Sequence, residues 1–266
     1  MNIIVCVKQV LDPQIPPAKF VLDPEAKRVL PPEGIPPVIN PYDAQAVELA
    51  LRLKEKNGGK ITVLTISSEA TSLVLKHALS MGADEGIILC DNLFNNSDSF
   101  SVAHILTRAI QKVGSYDLIL CGRQAADWDE GLVGSIMAEY LHIPLVTLAQ
   151  SIDVAEKELK VKRAILDGYQ VFLAPMPALV TVSNEVGQPR LPSGWGIIAA
   201  ARKKVPVWTA IDIGADSSRI GAGAARRKLI KLFNPKRERK CEVVAGENPA
   251  EAAVKLAERL KQAGVI

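Results

Sequence analysis

The sequence predicts a doubly wound α/β fold, a mostly parallel sheet with helices on both faces, extended by a β-hairpin and a C-terminal arm that ends in a helix. Two observations predict it. Short apolar, β-branched runs at 2–7, 61–66, 87–90 and 118–121 alternate with single stretches of helical hydrophobic spacing. Strands separated by one helix each imply right-handed crossovers, and hence parallel neighbours covered on both sides.

In chain order, residues 2–7 form the first strand, and the Pro-rich stretch 12–37 is an ordered excursion without regular structure. Asn40-Pro41 opens a helix, with an amide at the N-cap and proline at the first helical position. The amphipathic helix 43–56 follows, striped by Ala46, Val47, Ala50, Leu51 and Leu53, and Asn57-Gly58-Gly59 ends it. A β-branched strand spans 61–66, a helix 71–81 stops at Gly82, a strand spans 87–90 and a helix 99–113. The α/β layer is expected to run to about Leu148. Residues 158–165 alternate charged and apolar side chains and pair as a hairpin with 169–173; 178–182 is a buried strand. Turn formers crowd 183–196, and 197–204 finishes a short helix.

From Val205 to Gly246 no core periodicity persists, and basic residues gather at Arg226, Arg227, Lys228, Lys231, Lys236, Arg237, Arg239 and Lys240. Asn248-Pro249-Ala250-Glu251 then starts a final helix striped by Ala252, Ala253, Leu256, Ala257 and Leu260. Such a helix after a coreless arm needs a surface to pack on, and a partner subunit is the simplest one. The expected division is an α/β nucleotide-binding domain at 1–204 and an arm with its helix at 205–266.

The stretch 117–141 is the candidate working part. An apolar strand, 118–121, leads into a polar loop, 122–130, and apolar residues return at helical spacing from about Gly131: Leu132, Ile136, Met137, Tyr140, Leu141. In an open parallel sheet the loop after a strand's carboxyl end receives ligands, and the next helix offers free N–H groups to a phosphate. Gly131 and Gly134 leave little bulk where a diphosphate would approach. The spacing is neither a Walker loop nor GxGxxG.

Bulk properties exclude several classes. A chain of 266 residues, 48% hydrophobic, buries a sizeable core. A net charge of +3 is too small for a nucleic-acid binder. The N-terminus has no basic region or cleavage site, and long uncharged segments carry Pro or Gly. The expectation is a cytoplasmic protein that does not span a membrane. Cys6, Cys90, Cys121 and Cys241 show no paired spacing, so neither a metal site nor a disulfide is expected. His77, His104 and His142 lack companion ligands and read as structural or surface residues. Asp127 and Asp129 have no nucleophile beside them, so no catalytic residue is expected.

IIVCVKQV at the N-terminus, INPYDAQAVELALRLKE at 39–55, ALSMGAD at 78–84 and LCGRQAADWDEGLVG at 120–134 together carry a family resemblance, as do VKRAILDGYQ at 161–170 and PALVTVSNEVGQPR at 177–190. Over essentially its whole length the chain resembles the β subunit of electron-transfer flavoproteins. The resemblance implies a heterodimer with an electron-transfer flavoprotein α subunit, FAD at their junction, and an adenine nucleotide within the β subunit. It implies an electron carrier serving acyl-CoA dehydrogenase-type donors or acceptors, or a component of an NADH-dependent bifurcating oxidoreductase. The nucleotide pocket would use Cys6, Val7 and Lys8 after the first strand, Asn40, and Ile66 and Ser67 after the second strand. Its loop would supply Gly122, Arg123, Gln124, Asp127, Asp129, Gly131, Leu132, Val133 and Gly134. From the residues alone Asn40 reads as a plain N-cap; the resemblance implies ligand contact together with that role. Arg123 reads as a neutraliser of phosphate or flavin, or as the partner of a loop carboxylate.

Family members that hold AMP commonly read Asn-Gln-Thr at the helix start, where this chain has Gly131, Leu132 and Val133; those with a second, bifurcating FAD commonly read Ala-Gln-Val-Gly. Gly131, Val133 and Gly134 fit the second group better, so a second FAD is expected here, with AMP as the alternative. Leu132 fits neither pattern; Trp128 replaces a small or acidic residue of the family, and Leu166 stands where its signature usually has an acid. The 183–196 loop resembles the family's recognition loop, with Val186, Pro189, Arg190 and Leu191 as contacts and the apolar anchor near Val186 or Leu191. A stand-alone nucleotide-binding regulatory module of the same fold is the rival reading.

Overall fold

The computed structural model describes residues 1–235 and 241–266; Lys236, Arg237, Arg239 and Lys240 of the expected basic cluster lie outside them. It resolves into two compact units, Met1–Ile230 and Lys231–Ile266.

The first unit is built on β1 (Asn2–Cys6), which leads into a loop pinched shut where β2 (Gln9–Val10) pairs antiparallel with β5 (Val38–Ile39). Within that excursion β3 (Val21–Asp23) and β4 (Arg28–Leu30) make a small hairpin. Residues 12–37, expected without regular structure, thus hold one short ladder, placed between the prolines rather than on them. The layer continues with α1 (Pro41–Asn57), β6 (Lys60–Ile66), α2 (Leu73–Met81), β7 (Glu85–Leu89), α3 (Ser99–Val113), β8 (Leu118–Gly122) and α4 (Val133–Leu141).

Next come β9 (Leu145–Ala155), β10 (Glu158–Ile165), β11 (Gly168–Pro175), β12 (Ala178–Val182), α5 (Gly194–Arg202) and β13 (Val207–Trp208). The sheet runs β11-β10-β9-β12-β8-β1-β6-β7-β13, parallel from β9 to β13 and antiparallel through β9, β10 and β11. The hairpin therefore continues the main sheet rather than standing apart, because β9 joins it to β12.

Helices cover both faces. Residues of α1, α2 and α5 meet Ile3, Val5, Val63 and Leu120 on one side. Residues of α3 and α4 meet Ile4, Leu64, Ile119 and Leu179 on the other. Ile3, Ile4, Ile119 and Leu120 are fully buried, and side chains of that size stabilise by roughly 1.5–3 kcal/mol each relative to exposure.

The segment after residue 204, expected to lack a core, contributes one: Ala210, Ile213 and Ile220 are buried in the second cluster, and β13 adds a strand to the sheet edge. The expected boundary after 204 therefore lies inside the first unit.

The second unit contains α6 (Pro249–Gln262). The Asn248 side chain accepts from the Glu251 N–H (2.9 Å), which satisfies a helix-start donor, and the Glu251 carboxylate accepts from the Glu247 N–H (2.8 Å) just before the cap. None of its residues is buried; Val254 and Leu256 of its apolar side are exposed. Among the described residues no helix is long and apolar enough to cross a membrane.

Candidate functional site

Strand order locates the site. From β1 the chain proceeds outward through β6 and β7 on one side, then crosses to place β8 on the other. The carboxyl ends of β1 and β8 therefore flank a point where the winding direction reverses, and such a point opens a crevice between the loops that leave the two strands. Lys8 lies just beyond β1; residues 123–132 follow β8.

The start of α1 ties these two loops together. Asn40 is buried at the N-cap position, but its amide does not cap the helix. Its Nδ2 donates to the Gln124 carbonyl (2.8 Å) and its Oδ1 accepts from the Ala126 N–H (3.1 Å). The plain N-cap reading is thereby corrected: both ends of the amide are spent on the 122–130 loop.

Three residues on, the buried Asp43 carboxylate accepts from the Lys8 N–H (2.7 Å) and the Gly122 N–H (3.0 Å). Burial pushes its pKa up to about 7, opposed by those bonds, by Asn40 and by the Lys8 charge. Gly122 is what allows the approach, since a Cβ there would stand 2.4 Å from Asp43 Oδ1.

The remaining loop contacts are polar. The Lys8 ammonium donates to both Asp127 oxygens at 2.7 Å. Gln124 Nε2 donates to Asp129 (2.7 Å), which sits at φ 51°, a turn conformation that aspartate tolerates. Glu130 accepts from Ser99 at the start of α3 and pairs with Arg227 at 2.5 Å. Arg226 and Arg227, read only as part of a basic arm, are held there through their N–H groups by Asp98, the α3 N-cap. Arg123 donates to Gln124 and Asn184 and lies 5.0 Å from the Tyr42 ring centroid. Among the described residues no carboxylate is its partner, so the pair with an acidic loop neighbour considered for it does not form.

The expected glycines have different causes. Gly131 takes a left-handed turn (φ 62°). Gly134 is buried, and a Cβ on it would meet Thr181 Cγ2 at 2.9 Å and Leu179 Cδ2 at 3.5 Å, so its smallness serves the packing of α4 on β12. Packing is thus a second reason for a glycine at 134, beside the clearance expected for a diphosphate. The helix itself begins at Val133, two residues later than expected, with Leu132 at the N-cap making no side-chain bond. Its first intrahelical bond runs from Ile136 N–H to the Leu132 carbonyl, which leaves the N–H groups of Val133, Gly134 and Ser135 without an intrahelical acceptor.

Cys6 and Cys121 are buried neighbours in register on β1 and β8. The hydrogen bond between them, with burial, pushes the Cys121 thiol up, so it remains a neutral, apolar floor. Val7 is buried and its N–H donates to Leu64 (2.9 Å). Ile66 is half-buried, and Ser67 uses its N–H on Leu89 and its hydroxyl on Thr71 and Glu69. Beside them the Thr65 hydroxyl is buried without a protein partner.

The recognition-loop candidates divide. Val186 is buried in the first core cluster, so it cannot present an anchor, whereas Leu191 is 89% exposed. Arg190 grips α1 instead of projecting: its Nε donates to the buried Glu48 (2.8 Å) and its other nitrogens reach Glu55 and Glu48. Arg52 completes the brace by donating to the Val186 carbonyl (3.1 Å). Pro189 is half-buried between them. Asp43 was not among the sequence candidates, because an acid in a helix's first turn is ordinary.

Comparison with known proteins agrees with this architecture. The family profile described as "Electron transfer flavoprotein domain" matches residues 29–213. An "Electron transfer flavoprotein subunit beta" of Thermoanaerobacterium thermosaccharolyticum is 39% identical over 267 residues, covering 100% of both chains. The "Caffeyl-CoA reductase-Etf complex subunit CarD" of Acetobacterium woodii is 35% identical, again over 100% of both. "Protein FixA" of Bradyrhizobium diazoefficiens is 34% identical over 96% of this chain and 90% of its own.

Proposed function

The chain belongs to the electron transfer flavoprotein family, with the sequence of a β subunit, and on that premise we propose that it binds an adenine nucleotide in the crevice between β1 and β8 and relays electrons as half of a heterodimer with an α subunit. The observation that carries this reading is the convergence of two loops at the reversal of strand order. Lys8 comes from one, and Arg123 with the uncommitted N–H groups of Val133, Gly134 and Ser135 comes with the other. Cations and helix-start N–H groups suit phosphate oxygens. The buried Thr65 hydroxyl, unpartnered at the end of β6, adds a polar atom suited to a ligand.

FAD is the nucleotide we assign, with AMP as the alternative. Gly131, Leu132 and Val133 carry no hydroxyl or amide with which to close around a single phosphate, whereas backbone N–H groups can serve a diphosphate that runs onward. When bound, FAD supplies one- and two-electron redox chemistry. The chain's own residues orient it: Asn40 and Asp43 fix the loop, and Cys6 and Cys121 floor it. A bifurcating, two-flavin mechanism follows from that assignment.

For partners, the α subunit would take the exposed apolar side of α6, with Val254 and Leu256, and the exposed Leu191 would dock an acyl-CoA dehydrogenase-type donor or acceptor. The test is an absorbance spectrum, with mass identification of the nucleotides released from the purified complex. Two FAD per heterodimer are expected. One FAD with one AMP would sink the two-flavin reading, and no adenine nucleotide would sink the site.

A further inference from the structure

Among the described residues Asp43 is the one buried acid that touches both loops, and neither a core nor a capping role accounts for it. It occupies the third helical position of α1, where a carboxylate commonly reaches back to the N-cap N–H. Instead its two oxygens are divided between strands. One accepts from Lys8 just beyond β1, the other from Gly122 at the end of β8. Gly122 has no room for a side chain against it, so the contact fixes the residue type on both sides.

Granting the adenine-nucleotide site proposed above, we propose that Asp43 is a positioning residue of that site. Its ionised carboxylate clamps the Lys8 and Gly122 amides, and protonation releases one clamp and weakens nucleotide binding. An ionised carboxylate accepts at both oxygens. A protonated one turns an oxygen into a donor, and two N–H groups then compete for a single good acceptor.

Other charged and polar groups stand around Asp43. Lys8 shares its ammonium with Asp127, and Cys121, whose thiol is pushed up by its bond to Cys6, lies alongside. Arg123 lies over the neighbouring Tyr42 ring. Burial places the Asp43 transition near neutrality, at about 7, within the range where cells operate. The release therefore runs with acidification from about pH 8 to pH 6.

Two measurements on the full chain test this. The first is amide hydrogen exchange at Lys8 and Gly122 across that range, corrected for the intrinsic pH dependence, which needs no nucleotide. The second is the affinity for AMP and for FAD by calorimetry, for the parent chain and for Asp43→Asn, whose amide imitates the protonated acid. Exchange is expected to quicken below pH 7, and affinity to fall by about tenfold, the factor one charge-assisted hydrogen bond carries. Asp43→Asn should hold the acid-limb affinity at every pH.

Exchange that ignores pH overturns the clamp. Exchange that responds while both affinities stay flat overturns the positioning role, as does a pH profile in Asp43→Asn that copies the parent. Failure of both nucleotides to bind at any pH overturns the nucleotide site and the positioning role with it, while exchange still decides the clamp. If Asp43→Asn does not fold, the parent's exchange and affinity profiles decide alone.

Discussion

Replacing Gly134 by alanine sets two explanations of that glycine against each other. As a residue of α4 the substitution should gain up to about 1 kcal/mol of helix propensity. Against this, the new methyl would sit 2.9 Å from Thr181 Cγ2. Thr181 cannot turn aside: it is buried on a central strand, is β-branched, and its Oγ1 accepts from the Leu148 N–H at 3.1 Å. Overpacking of this kind costs roughly 1–3 kcal/mol, so Gly134→Ala should lose about 1–2 kcal/mol net. Thr181→Ser keeps the hydroxyl and deletes the methyl, at about 1 kcal/mol. In the double variant the alanine methyl fills the space just vacated, so the two losses should largely cancel, leaving a coupling of about 2 kcal/mol. Denaturant unfolding of the four proteins measures it. A Gly134→Ala chain as stable as its parent, or losses that simply add, would refute the packing account. Weakened nucleotide binding without loss of stability would return Gly134 to the diphosphate.

Arg190→Ala should destabilise by about 2 kcal/mol, because the half-exposed arginine leaves a buried Glu48 with only Arg52, and unfolding curves report it. Burial alone would raise Glu48, but Arg190 and then Arg52 hold it below the usual glutamate range. Its contribution is therefore present above that range and is lost as pH falls through the lowered value; Arg190→Ala should shrink this acid dependence. His104 is lowered, chiefly by burial and then by Arg219, while its Nε2 accepts from the Asp216 N–H (3.3 Å). The unfolded chain takes up that proton first, so stability should fall on acidification below about pH 6.5, and His104→Gln should flatten that slope in thermal melts across pH. Leu191→Ala should slow electron transfer to a docked dehydrogenase several-fold without loss of bound nucleotide, read by stopped-flow absorbance. Unchanged rates would remove Leu191 from the docking surface.

The parallel layer was legible because its strands are uninterrupted β-branched runs and its helices carry plain stripes. β9 was not: Gln150, Ser151 and Asp153 break the apolar pattern of 145–155, and Leu148 takes a left-handed turn (φ 59°) that no sequence rule assigns to leucine. β13 is two residues long and exists only because β7 offers it an edge. Within the site the loop was legible as a loop, but its wiring was not. Asn40 looks like a cap and Asp43 like a helix-start acid, and only the return of β8 beside β1 shows that both face the crevice. Gly134 shows the converse, since a small residue near a helix start reads alike whether it clears a ligand or a threonine methyl.

The strand order also governs how the chain can be made. β8 is closed on its outer side by β12, and β7 by β13, both of which follow only after the whole β9, β10 and β11 meander has been made. A nascent chain that has just released Gly122 carries two open parallel edges and cannot seal the first until Val182 emerges. That is a wait of ~3–12 s at ordinary translation rates. Open edges of this kind recruit other strands. Ribosome-stalled chains ending near residue 150 should therefore be protease-sensitive and chaperone-bound, whereas chains stalled after residue 230 has cleared the exit tunnel should resist digestion. The crevice floored by β1 beside β8 is assembled early in sequence but secured late in time.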